Sequence, residues 1–191
     1  MKNQLRKYKM KAKNSTLLGA LAITLGAAFI VPVAGAADGL INFEGSITAQ
    51  SCTINGGAGR NFTVTLPKVS SASLATAGDR GGRTPFLINL TDCGAPLDGA
   101  VKVFFEPSTD VDIATGRLRI TSGNGNATNV QVGLLTEQQD DIQVGQAASA
   151  YPSTNLVAGA ATFKYFAEYH SLGLATAGGV TTRVNYSIIY P

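Results

Sequence analysis

The chain has 191 residues, 15 of them basic and 12 acidic, with 22 glycines and no tryptophan. Six basic residues and no acidic ones lie in positions 1–36, so the rest of the chain carries nine basic against twelve acidic residues. The basic pI therefore belongs to the N-terminal segment, and it gives no support for a nucleic-acid or anionic-membrane partner.

The first 36 residues are predicted to be a cleaved secretory signal peptide. Six basic residues precede an apolar run from Leu17 to Val33, and small residues follow it. This order is that of the three regions of a signal peptide, and we expect cleavage after Ala36, with Ala37 as the near alternative. A membrane anchor is the competing interpretation, because the run approaches the roughly 20 residues that span a bilayer. Pro32 and the small residues behind it favour cleavage.

The mature chain then has 155 residues, which suits one domain with a single core. It contains two cysteines, Cys52 and Cys93. An even number of cysteines in an exported chain is typical of a disulfide. A disulfide requires an oxidising compartment, which indicates a bacterial periplasm or an extracellular space.

Short segments of alternating apolar and polar residues predict an all-β domain. The predicted strands are Ser46–Ile54, Phe62–Leu66, Phe86–Leu90, Ala100–Phe105, Arg117–Thr121, Asn129–Thr136, Ile142–Val144, Thr162–His170 and Val180–Tyr190. Residues 70–84 are predicted to form a loop, with a helical turn near Ser73–Ala77. The turn signals between the strands are spaced as in an all-β sandwich.

The residues that catalysis needs are scarce in this chain. His170 is the sole histidine and is interpreted as an exposed strand residue rather than a base. One histidine and two disulfide-bonded cysteines do not supply a usual zinc site. Asp140 and Asp141 are predicted to solvate a turn, and residues 78–84 lack the lysine and the glycine spacing of a phosphate loop. No catalytic residue, metal or cofactor is expected.

The N-terminal end of the mature chain is an alternating stretch with one apolar face. Ile41, Phe43, Gly45 and Ile47 fall on that face of an extended strand. An ordinary first strand and a strand donated to another molecule both fit this pattern. Gly45 slightly favours donation, because glycine weakens a strand and often marks the close approach of another backbone.

The C-terminal end repeats this pattern. Val184, Tyr186, Ile188 and Tyr190 share one face of the last predicted strand, and Ile189 breaks the alternation on the other face. A core strand and a strand that borders an open groove are both compatible with these residues. The pattern by itself does not choose between them.

Taken together, these features resemble the chaperone–usher fimbrial subunits and are similar to the type 1 pilins. The matching features are Ile41–Ile47 with Cys52 five residues later, the second cysteine Cys93, the penultimate Tyr190, and Gly178 as the fourteenth residue from the end. The likeness covers essentially all of the mature chain. The final residue, Pro191, departs from the polar residue with which this family often ends.

The resemblance implies an incomplete immunoglobulin-like sandwich that lacks its last strand and is completed by a donor strand. It divides the chain into a signal peptide (1–36), a donor-strand extension (37–47) and a pilin domain (48–191). In the family, a periplasmic chaperone fills the groove, and an outer-membrane usher then exchanges it for the extension of the neighbouring subunit. The donor residues carried over are Ile41, Phe43, Gly45 and Ile47, and the groove or chaperone-binding residues are Gly178, Val184, Tyr186, Ile188, Tyr190 and Pro191.

The function that follows is that of a structural subunit. It would polymerise head to tail by donor-strand exchange in an extracellular fimbria, reached through the periplasm, and would support cell adhesion. A minor tip adaptor or adhesive pilin is the first alternative, since adaptors share both end motifs. A soluble secreted enzyme or inhibitor is the second alternative.

Overall fold

A computed structural model of the chain describes residues 41–45, 47, 51–55, 59–94 and 99–191. The predicted signal peptide and most of the segment 46–52 lie outside these residues. Residues 46–191 form one compact unit, and residues 41–45 are assigned to the unit that precedes it. Within the described ranges, no helix is long and apolar enough to cross a membrane.

The regular structure of the described part is almost entirely β-sheet. Two short 3-10 turns occupy Ser71–Leu74 and Ala148–Ala150. The strands are β1 (Thr53–Ile54), β2 (Arg80–Thr91), β3 (Ala100–Phe105), β4 (Val111–Asp112), β5 (Arg117–Arg119), β6 (Val130–Leu135), β7 (Asp141–Ile142), β8 (Ser153–Asn155), β9 (Ala161–Ser171) and β10 (Tyr186–Ile189).

The strands form two antiparallel sheets. The larger sheet has the order β1-β2-β9-β6-β5-β4, and β7 also pairs with β6. Its long central pair is β2 and β9, in which Ile88 lies opposite Phe163. The smaller sheet has the order β10-β3-β8, with Ile188 opposite Val103. The C-terminal strand β10 is therefore an edge strand.

The hydrophobic core lies where alternate side chains of the two sheets meet. Val101, Val103 and Phe105 of β3 are buried, as are Phe163 and Tyr165 of β9. The rings of Phe105 and Tyr165 meet edge to face at 5.1 Å between centroids. The predicted all-β sandwich is confirmed, because period-two burial is what two facing sheets require.

The disulfide predicted from the cysteine count is present. Cys52 and Cys93 are bonded at 2.01 Å, and both are buried. The bond ties the segment before β1 to the end of β2 across 41 residues of sequence. Chain-entropy arguments give a loop of this length an upper-end stabilisation of roughly 4 kcal/mol.

The predicted loop over residues 70–84 is wrong in its second half, because β2 begins at Arg80. The ladder with β9 shifts register between Gly81 and Thr84, which is a β-bulge. At Gly82, φ is +68° and a Cβ would lie 2.8 Å from the Tyr169 ring. The glycines that suggested a loop are those that the bulge requires.

Other strand predictions differ from the structure at their ends. The strand predicted over Val180–Tyr190 is regular only as β10, and Asp141, expected in a turn, begins β7. β4 and β8 were not predicted. They have two and three residues, too few to show an alternating pattern.

Candidate functional site

A groove of about 1140 Å³ opens between the two sheets. It exceeds the roughly 300–1,000 Å³ of typical small-molecule sites. Its floor consists of core side chains from both sheets, namely Ile88, Phe105, Leu118, Val132, Leu134 and Ala167. The groove thus exposes part of a hydrophobic core that a closed sandwich would cover.

One wall of the groove is the segment of residues 180–190. Val184, Tyr186, Ile188 and Tyr190, which the family resemblance implies as groove residues, all line it. Each is partly buried and packs against the core. Because β10 pairs only with β3, its second backbone edge has no strand partner among the described residues.

The opposite wall begins at Arg60 and continues to Leu66. The strand predicted over Phe62–Leu66 is absent, because residues 61–69 make no backbone hydrogen bond to any other described residue. Val64 and Leu66 still pack against the core. This wall is an extended segment with apolar anchors and no ladder, and the sequence pattern alone did not identify it as a groove wall.

The two walls run antiparallel to each other. At one end, Tyr186 Oη donates a hydrogen bond of 2.7 Å to the Arg60 carbonyl. At the other end, Val69 and Val180 pack against one small cluster that contains buried Leu74. A β-strand placed between the walls would therefore be parallel to one and antiparallel to the other.

The Tyr190 end of the groove is joined to the start of the domain. The Cys52 backbone N–H donates a hydrogen bond of 3.1 Å to Tyr190 Oη. Cys52 in turn is fixed by its disulfide to Cys93. Cys52 is consequently held at the end of the groove that Tyr190 lines.

Gly178 and Pro191 do not line the groove. A Cβ at Gly178 would lie 2.3 Å from the Ala127 nitrogen, so this glycine permits close packing of two loops. Pro191 packs over Gly99, where a Cβ would lie 2.5 Å from the proline ring. In the isolated chain, both residues serve packing at opposite ends of the domain.

The predicted donor residues are exposed. Ile41, Phe43 and Ile47 show 76%, 91% and 103% of their reference surface. Gly45 has no atom within 4 Å of the position where a Cβ would stand. Three large apolar side chains in seven residues are thus left in contact with solvent.

A polar cluster lies on the face of β9 away from the groove. Glu168 and His170 are 1% and 2% exposed, so the prediction of an exposed histidine is wrong. The cause is a glycine on β6, since a Cβ at Gly133 would stand 2.5 Å from His170 Nε2. The space left by the missing side chain accommodates the imidazole.

Two arginines neutralise the carboxylates of this cluster. Arg83 Nε donates to Glu168 at 2.7 Å, and Arg80 donates to both oxygens of Asp141 at 2.9 and 2.6 Å. Asp141, Glu168 and His170 hold potential metal ligands within 4.8 Å of one another. Since the guanidinium groups already supply the counter-charge, we interpret the cluster as a structural ion-pair network.

The buried imidazole is held neutral. His170 Nε2 lies 3.1 Å from a Glu168 oxygen but is not aligned for a hydrogen bond. The pKa of His170 is lowered to about 4, chiefly by burial and then by the cations of Arg117 and Arg80, against the opposite effect of the Glu168 and Asp141 carboxylates. The folded domain therefore resists protonation of this residue.

In this all-β sandwich, part of the core is open between two walls whose facing edges have no strand partner among the described residues, and an apolar segment precedes the domain. This architecture is that of the class of pilus subunits completed by an added strand. The comparisons with known proteins agree. The model of the FimA type-1 fimbrial protein family matches residues 66–191. The chain belongs to this family.

Two curated relatives indicate the role, and one solved structure shares the fold. The chain is 44% identical over 163 residues to the major fimbrial subunit SMF-1 of Stenotrophomonas maltophilia (strain K279a), covering 82% of this chain and 95% of that protein. It is 41% identical over 180 residues to the F17 fimbrial protein of Escherichia coli, covering 91% and 96%. The fold matches the P pilus rod subunit PapA with a TM-score of 0.56 at 15% identity, covering 73% and 99%.

These matches identify a structural subunit of a surface fimbria. They favour this role over the tip adaptor or adhesin that the end motifs left open. The family consists of structural fimbrial subunits.

The buried histidine makes stability dependent on pH. Because the pKa of His170 is lowered from 6.5 to about 4, the unfolded chain binds a proton that the folded chain refuses as pH falls through this interval. Stability present above pH 6.5 should fall by roughly 2–3 kcal/mol by pH 4. Thermal unfolding of the purified protein between pH 7 and 4 measures this loss.

The variant His170→Gln should show a much flatter profile over the same interval, because glutamine does not titrate. The pKa of Asp141 is also lowered, so the stability that this residue contributes is lost mainly below pH 4. That separate loss of stability serves as an internal reference. An unchanged slope between pH 6.5 and 4 in the glutamine variant would contradict the assignment to His170.

Proposed function

We propose that this chain polymerises by donor-strand exchange, in which the extension 37–47 of one subunit fills the groove of the next. The observation that carries the proposal is the pair of facing segments, residues 60–66 and 180–190. They flank an apolar groove and have no strand partner on their facing sides within the described ranges. Unpaired edges of this kind accept an added strand.

The energetics support such an exchange. An inserted strand would pair the free backbone groups of both walls, and its alternate side chains would bury against the groove floor. Burial of Ile41, Phe43 and Ile47 contributes about 5–8 kcal/mol, at roughly 1.5–3 kcal/mol for each large side chain. Completion of the sandwich can therefore drive assembly without a nucleotide, a cofactor or any catalytic step.

The direction of the inserted strand follows from topology. The extension leaves its own domain at the Tyr190 end of the groove, where Cys52 contacts Tyr190. If the extension were inserted parallel to β10, the Tyr190 end of the donor would meet the Tyr190 end of the acceptor. Each subunit could then fill the groove of the other, and the result would be a closed dimer with no free extension. Insertion antiparallel to β10 makes the extension exit at the Val180 end, which generates an open head-to-tail fibre.

The open groove also explains the need for partners before assembly. A subunit with exposed core and free strand edges is prone to aggregate. We propose that a periplasmic chaperone covers the groove against Val184, Tyr186, Ile188 and Tyr190 and binds the carboxylate of Pro191. An outer-membrane usher then replaces the chaperone with the next subunit.

The export route completes the proposal. The signal peptide would be cleaved near Ala36 as the chain enters the periplasm, where the disulfide forms. The folded subunit then reaches the extracellular fimbria through the usher. Similarity to a major subunit and a rod subunit supports a place in the fibre shaft.

The donor assignment predicts that Gly45→Arg blocks polymerisation. Gly45 lies on the inserted strand, where the large charged side chain would be forced against the acceptor groove. Chaperone binding should be unaffected, because residues 37–47 do not belong to the groove. Gel electrophoresis of surface extracts without boiling measures the ladder of SDS-resistant polymers, and co-purification measures chaperone binding.

A matched control is Gln138→Arg, which adds the same side chain at an exposed position between β6 and β7. This variant should polymerise normally. Normal ladders from Gly45→Arg would show that the extension is not the donor strand.

The groove assignment predicts that Tyr190→Ala weakens the chaperone complex. The substitution removes an apolar side chain from the groove wall and also the acceptor of the Cys52 hydrogen bond. We expect recovery of the subunit with affinity-tagged chaperone to fall several-fold. Tyr190→Phe separates the two effects, since it retains the ring and should recover most of the binding. Equal recovery of the alanine variant and the parent would contradict the assignment.

A further inference from the structure

The loop that follows β9 presents two leucines to solvent. Leu172 and Leu174 are 50% and 69% exposed. The backbone between them is nonetheless fixed, because Leu172 N–H donates to the Asn129 carbonyl at 2.8 Å and Asn129 Nδ2 donates to the Leu174 carbonyl at 3.0 Å. The Ala175 N–H donates to the Leu74 carbonyl at 3.1 Å. An apolar pair on an anchored backbone is preorganised for contact.

This leucine loop, defined as residues 172–175, lies at the Val180 end of the groove. Ala175 is buried in the small cluster with Leu74, and Val180 packs against the same cluster. In the proposed fibre, this is the end at which the inserted extension leaves the groove. The loop therefore stands beside the exit.

The opposite end of the domain carries another exposed apolar residue. Val157 is 75% exposed on the turn between β8 and β9, closed by its bridge to Ala160. The Cys93 N–H donates to the Gly159 carbonyl at 3.1 Å, and Cys93 is bonded to Cys52. The Val157 turn therefore lies beside the point where the extension leaves its own domain.

We infer that the leucine loop of each subunit docks on the Val157 turn of the subunit whose extension fills its groove. The inference rests on the proposed strand exchange and adds a second contact to it. Ile47 and Cys52 are five residues apart, so even a fully extended chain spans at most about 18 Å between them. The donor subunit is held within this reach of the exit, which keeps its Val157 turn close enough to dock on the leucine loop.

This docking gives the fibre a defined angle between successive subunits. The inserted strand alone would leave a short linker about which domains could turn. Burial of Leu172, Leu174 and Val157 removes apolar surface from water only in one relative orientation. The docking contact therefore determines the bending stiffness of the fibre, whereas the inserted strand links one subunit to the next.

A cysteine pair tests the contact. In fibres of the double variant Leu174→Cys with Val157→Cys, we expect a disulfide between neighbouring subunits, since such a bond needs Cα atoms within about 7 Å. After boiling in SDS without reductant, these fibres should retain a covalent ladder that reductant removes. Leu174→Cys with Ile113→Cys is the matched control, because Ile113 is 75% exposed on the turn between β4 and β5. It should give no ladder.

A second measurement does not need new cysteines. The double variant Leu172→Ser with Leu174→Ser should form the same SDS-resistant ladder as the parent, but its fibres should bend more. We expect the persistence length in electron micrographs to fall at least twofold, while Ile113→Ser leaves it unchanged.

The outcomes distinguish the docking of the leucine loop from the proposed strand exchange on which it rests. Absence of SDS-resistant ladders in the parent chain would overturn the proposed strand exchange. Normal ladders in every variant, without the cysteine cross-link and with unchanged stiffness in the serine variant, would overturn only the docking of the leucine loop.

Discussion

The structure depends on a sandwich core that the described strands do not fully cover. Residues 60–66 and 180–190 stand on either side of this opening, each anchored by apolar side chains and each with a backbone edge free of strand partners in the part of the chain that the structure describes. Hydrophobic burial favours covering the floor, and the free backbone groups specify that a β-strand should cover it. Specificity and affinity for the partner thus come from the same gap.

The remaining features hold the gap open in a fixed shape. The β2–β9 ladder forms a rigid support behind the floor, and the bulge at Gly81–Thr84 lets β2 extend to the Val180 end. At the other end, the disulfide and the contact of Cys52 with Tyr190 hold the last strand beside the first. On the outer face, the arginines and the buried Glu168 join β2 to β9 by charge rather than by apolar packing.

The sequence was informative where burial alternates over at least five or six residues. Ala100–Phe105 was predicted with the bounds that the structure shows, and the two cysteines pair as expected. Three features of the structure could not be predicted from the sequence. The groove floor is assembled from five strands, which no local pattern reports. The start of β2, residues 80–84, is rich in glycine because it contains a bulge. His170 is buried because Gly133 faces it on another strand. This contact joins residues far apart in the sequence, so the residues adjacent to His170 give no sign of it.

The location of Cys52 beside Tyr190 has a consequence for the two termini of the polymer. In the fibre proposed above, every groove is filled except that of the subunit added last, and every extension is inserted except that of the subunit added first. The two termini of the polymer are therefore chemically different: one presents exposed core and the other a spare strand. In the proposed order of exchange, the terminus with exposed core is the one that receives the next extension, so it needs a protective cover during each pause in assembly.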